Sequence, residues 1–128
     1  MAKIIDVLTK YVDKPLSYGT FDCNLMVLEL TGFDTTKIKP YSTLKEGAVN
    51  VSDATQCCSP LEYIQTQGYK QINPLEASDG CLVVDKIHCF IYFNGCLFGV
   101  HKETQCFKYM NITINELQKL KVYKLWLD

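Results

Sequence analysis

Apolar residues recur at helical spacing in the first half of the chain and at alternating spacing after Tyr69. Ile4, Ile5, Leu8, Tyr11 and Val12 share one helical face and predict a first amphipathic helix, after which Pro15 and Gly19 mark a turn. Residues 22–32 predict a second helix, with Asp22 as its cap and Gly32 as its left-handed end. Its apolar residues nearly surround it, which predicts a place in the middle of the fold. Residues 34–58 read as loop with a short helix around Leu44 to Val49. Ser59-Pro60-Leu61-Glu62 opens a third helix that stops at Gly68. The alternating runs Cys81–Val84, Ile87–Phe93, Cys96–His101, Gln105–Met110 and Val122–Trp126 predict strands, mostly antiparallel. Thr113-Ile114-Asn115-Glu116 opens a short helix before the last of them. Helices first and strands later argue for an α+β protein, its helices packed on one face of a small antiparallel sheet.

With no repeat, linker or low-complexity run, the 128 residues fit one domain spanning 1–128. Apolar residues make up 48% and charged residues 21%, the balance of an ordinary globular chain. The net charge of −1 supplies no basic field for phosphates, so no nucleic-acid partner is expected. Lys119, Lys121 and Lys124 alternate with Leu120, Val122 and Leu125 and read as the solvated face of a strand. No segment has the length of a membrane span, and the charged N-terminus does not read as a secretory signal.

The missing signal changes the reading of the seven cysteines, an odd number. In a reducing compartment most of them are small buried hydrophobes. None forms a Cys-x-x-Cys pair, Cys57 and Cys58 are adjacent, and His88 and Cys89 point to opposite faces of a strand. Neither a structural zinc nor a disulfide is expected.

Asn94-Gly95 between two apolar runs is the preferred pair for a two-residue hairpin turn. Counting back from that turn, Phe93 faces Cys96 and His88 faces His101, the chain's only two histidines. Facing residues hold their Cβ atoms roughly 4.5–5.5 Å apart, close enough for one ring to orient the other. Cys23 is the natural partner for such a base. At the start of a helix, free amides and the helix dipole favour a thiolate, and those amides can hold an oxyanion.

Pro15-Leu16-Ser17-Tyr18-Gly19-Thr20-Phe21-Asp22-Cys23 resembles the aromatic-Gly…Asp-Cys motif that opens the core helix of NlpC-like, papain-fold cysteine peptidases. It is most similar to a branch of small phage tail-associated proteins whose motif runs Pro-Phe-x-Trp-Gly-x-x-Asp-Cys. Thr31-Gly32-Phe33-Asp34 and Gly47-Ala48 are also similar to that branch. Gly80-Cys81-Leu82-Val83-Val84 and His88-Cys89-Phe90-Ile91-Tyr92 resemble the family's Gly-Asp-Leu-Val and His-Val-Gly-Ile-Tyr strands.

The resemblance implies Cys23 as nucleophile, His88 as base and His101 as the group orienting it. It implies peptidoglycan stem peptides as substrate, a virion tail made in host cytoplasm as setting, other tail proteins as partners, and no cofactor. Three departures stand out: Asn24-Leu25 replaces the family's Ser-Gly, Cys81 replaces its strand acid, and Leu16 falls where a tyrosine often supports the oxyanion. Tyr18 is the candidate replacement donor, with Asp22 supporting the helix start. A tail-tip or tail-assembly structural protein keeping the same fold is the competing expectation.

Overall fold

The change of period becomes a change of layer. The structure is a computed structural model describing residues 4–126, and its helical half begins with α1 (Ile4–Tyr11), which buries Val7, Leu8 and Tyr11. Helix α2 (Cys23–Leu30) follows, capped by Asp22 and ended at Thr31, with Gly32 left-handed at φ +86°. It buries Leu25, Met26, Val27, Leu28 and Leu30, residues that point around the whole cylinder, and it touches α1 and later helices and strands. A central helix of this kind holds the fold together, because each fully buried Leu or Val contributes about 1.5–3 kcal/mol.

Helix α3 (Leu44–Thr55) is twice the length that the apolar pattern suggests. Its buried residues are Gly47, Val51 and Thr55, a stripe one residue wide at four-residue spacing. Two of the three are not large hydrophobes, so the helical period is faint. The stronger signal is at its start, where Thr43 Oγ1 accepts from the Glu46 amide at 3.1 Å. Helix α4 (Pro60–Thr66) starts as expected, with Ser59 Oγ accepting from the Glu62 amide at 3.1 Å.

The second half forms one antiparallel sheet from β1 (Lys70–Ile72), β2 (Leu82–Asp85), β3 (His88–Phe93), β4 (Cys96–Val100), β5 (Phe107–Asn111) and β6 (Lys121–Lys124). The order across it is β1-β6-β2-β3-β4-β5. Short β1, which the alternating pattern did not delimit, pairs with β6 at the edge. Helix α5 (Ile114–Leu117) carries the complete reciprocal cap, with Thr113 and Glu116 bonding each other's amides.

Alternation divides the side chains between two cores. Leu82, Val84, Ile91, Phe98, Phe107 and Tyr123 meet α1, α2 and α4 on one face. Cys81, Val83, Leu97 and Val122 turn to the other, where Leu117 of α5 and the half-buried Trp126 cover them. The N-terminal helices therefore pack on one face, but the reverse face is covered as well, by α5 and its flanking segments. The architecture is α+β. No helix among the described residues is long and apolar enough to cross a membrane.

Candidate functional site

The Asp22-Cys23 pair sits where the loop after α1 turns into α2. Asp22 is 3% exposed, and its carboxylate is fully engaged. Oδ1 accepts from the Leu25 amide at 2.9 Å, while Oδ2 accepts from the Gly19 amide at 2.9 Å and the Tyr41 hydroxyl at 2.6 Å. One buried acid thus caps the helix, closes the preceding turn and anchors the 34–43 loop. Charge-assisted bonds of this kind are the stronger class, and together they offset the cost of burying the carboxylate.

Tyr41 explains two glycines. Gly19 has φ +88°, and a Cβ there would overlap the Tyr41 carbonyl. A Cβ on Gly47 would lie 2.7 Å from the Tyr41 ring. Gly47 opens the space for the ring, and the ring's hydroxyl reaches Asp22. The sequence places Tyr41 in a stretch without a clear pattern, and nothing local marks it as a packing residue.

Cys23 is the first residue of α2 and is partly buried. Burial, and after it the Asp22 charge, push its thiol up to about 11. Backbone hydrogen bonds at Cys89, Val100 and Cys23 itself lower it but do not compensate. The helix start was expected to favour thiolate; desolvation and the adjacent carboxylate outweigh it. The amides of Cys23 and Asn24 keep no intrahelical acceptor, whereas Leu25 is taken by Asp22.

The Asn94-Gly95 turn forms as expected, both residues at positive φ (50° and 77°). It pairs Phe93 with Cys96, Tyr92 with Leu97 and Ile91 with Phe98. The register is the expected one, but the ladder stops there. The next bonded pair would be Cys89 with Val100, and the backbone of those two residues lies near enough to the Cys23 sulfur to lower its pKa. The α2 thiol is seated where the two strands part.

Cys89 packs toward the helical core and is itself pushed up to about 12 by burial and then by Cys23. His88, one residue earlier, starts β3 from the opposite side of the strand and is exposed. Cys23 and His88 nevertheless line one cleft of about 610 Å³ at this end of the sheet. Its walls include Leu16, Tyr18, Asp22, Tyr41, Asp85 and Phe90. Tyr18 is thus at the site, and Asp22 acts from the wall.

His101 is not part of that lining. Its Nδ1 accepts from the Thr104 amide at 3.3 Å and lies 3.2 Å from Thr104 Oγ1, which engages the ring with the turn after β4. No hydrogen bond among the described residues joins His88 to Cys23 or to His101. Four of the five residues picked from sequence therefore meet at one cleft, and His101 stands apart. Tyr41 and Asp85 are the wall residues that sequence reasoning passed over. The expected strands, Cys81–Val84 and Ile87–Phe93, left Asp85 in the turn; the turn instead falls at Lys86-Ile87, which makes Asp85 the partner of His88.

No group of three or more His, Cys, Asp or Glu side chains among the described residues is arranged to hold a metal ion. No family model matches the chain, and neither a curated protein nor a solved structure does.

Proposed function

We propose that this protein is an NlpC-like, papain-fold cysteine hydrolase of the phage-tail branch that cleaves amide bonds in bacterial peptidoglycan peptides. The observation that carries this reading is the meeting of Cys23, at the start of a capped helix, with His88 in one open cleft. The Cys23 sulfur attacks the amide carbonyl while its proton passes to His88, and His88 returns that proton to the leaving amine. The Cys23 and Asn24 amides are the available donors for the oxyanion. Water then releases the acyl group. His88 must turn toward the thiol for the first step; it is the exposed first residue of β3 and has room to do so, and catalytic hydrogen bonds often tighten only with substrate bound. Substrate class, tail location and tail-protein partners rest on the Asp22-Cys23 and His88 motifs.

The test is product release from purified muropeptides, followed by mass spectrometry. The wild-type protein is expected to cleave them, and Cys23→Ala and His88→Ala are each expected to abolish cleavage with the fold intact, because nucleophile and base act as a unit. Equal product from wild type and Cys23→Ala would overturn the reading, as would no product from either.

A second reading has its own observation. The Cys23 thiol lies near the Cys89 and Val100 backbone, and burial pushes it up to about 11, as suits a sulfur that closes a packing gap. On this reading the protein is a tail-assembly component of the same fold. Particles carrying Cys23→Ser would then assemble and infect normally, whereas loss of infection with normal assembly favours the hydrolase.

A further inference from the structure

We infer that Asp85, rather than His101, is the positioning residue for His88, an inference that rests on the proposed role of His88 as the base. A histidine base needs a partner at its second ring nitrogen to fix tautomer and orientation. The β3–β4 hairpin was expected to supply His101, but its ladder ends at Ile91 and Phe98, and His101 is engaged by Thr104. The hairpin on the other side of β3 supplies a carboxylate instead.

Strands β2 and β3 are joined by Lys86-Ile87, with Lys86 left-handed at φ 58°. Asp85 and His88 are the closing pair of that hairpin, directly opposed in the register. Opposed residues point to the same face with Cβ atoms about 4.5–5.5 Å apart. Both side chains are exposed and both line the cleft that holds Cys23, so a rotation about their side-chain bonds brings carboxylate to imidazole without moving backbone.

The other groups around the cleft do not compete for this role. Asp22 already accepts three hydrogen bonds, and Tyr41 donates its hydroxyl to it. Cys23 is the proposed nucleophile. Lys102 on the cleft wall and Lys86 in the turn are basic side chains that oppose an imidazolium, and Tyr18 offers a hydroxyl rather than a carboxylate. Asp85 is the one carboxylate on this cleft with free capacity. In the reaction it would hold the ring while the proton moves from Cys23 to His88, and stabilise the imidazolium that results.

Two histidines make the test direct. Ring nitrogen–proton NMR correlations of the full chain above neutral pH report the tautomer of each imidazole, with His88→Asn and His101→Asn assigning them. His88 is expected to be held in one tautomer in the wild type and to exchange between two in Asp85→Ala, because the partner at its second ring nitrogen is gone. Asp85→Glu is expected to keep the single tautomer, and His101→Asn to leave it in place. An unchanged His88 tautomer in Asp85→Ala, or its loss in His101→Asn, would overturn the inference. The spectra need no turnover, so failure of this pair and failure of the proposed hydrolysis are read in separate experiments.

Discussion

The two walls of the cleft are built in opposite ways. On the thiol side, Asp22, Gly19, Tyr41 and Gly47 interlock, with one buried carboxylate receiving three donors and a ring filling the space beside a glycine. On the histidine side, Asp85, Lys86, Ile87 and His88 form an exposed hairpin end, and Ile87 is 88% accessible. The first wall is over-determined and the second is nearly free. On the proposed hydrolase reading the contrast is useful: a nucleophile benefits from a fixed position, whereas a base that must turn benefits from room, and low local stability is where movable parts are found.

The largest expected effect comes from removing the buried acid. Asp22→Ala should destabilise the protein by about 3 kcal/mol, adding a lost helix cap to lost charge-assisted bonds. Urea unfolding midpoints check this. A cost below 1 kcal/mol would show that the thiol wall is not the rigid one.

Next in size is the response to alkaline pH. The unfolded chain's thiol loses its proton from about pH 8.5, whereas folded Cys23 holds it to about 11. Between those limits the folded state binds more protons, so stability falls as pH rises, by about 2 kcal/mol for this group. Cys89, raised chiefly by burial, acts in the same direction. Unfolding curves at pH 8 and pH 10.5 should show the loss, and Cys23→Ser should shrink it.

Gly47→Ala sharpens the comparison, because helix propensity and packing oppose each other. Alanine in a helix interior gains about 1 kcal/mol, but this Cβ would meet the Tyr41 ring at 2.7 Å. The ring is tethered at its hydroxyl, so overpacking should win, with a net cost of about 1–2 kcal/mol. A variant more stable than wild type would mean that Tyr41 moves aside freely.

Tyr41→Phe keeps the ring and removes only the donor to Asp22. A cost of about 1 kcal/mol is expected, since two other donors remain on the carboxylate. Smallest of all, Ile87→Ser on the open wall should change stability by less than about 0.5 kcal/mol. Thermal melts of the two variants side by side give the contrast between walls in one measurement.

How well each wall could be read in advance follows from the range of its interactions. Asp22, Gly32, Ser59-Pro60 and Thr113…Glu116 act within one helical turn of their own positions, and the caps formed where these residues stand. Asn94-Gly95 likewise set a hairpin register that the structure shows from Phe93 to Ile91. Helix α3 was half seen because its buried face, Gly47, Val51 and Thr55, carries little hydrophobic contrast. Tyr41 was invisible as a site residue because its partner, Asp22, lies 19 positions away.

By itself, then, the amino-acid order determined the α+β class, the caps and turns, and the placing of Cys23 at a helix start and His88 on a strand. These depend on periodicity, backbone preference and side chains within a few residues. Tertiary structure alone decided that Cys23 lies near the Cys89 and Val100 backbone, and that the β3–β4 ladder ends at Ile91 and Phe98, short of His88 and His101. It also decided that burial outweighs the helix start in setting the Cys23 proton, and that Asp85 shares the cleft while His101 turns to Thr104. Those outcomes depend on which surfaces exclude water and where strands part under packing, and such quantities arise only when distant segments meet.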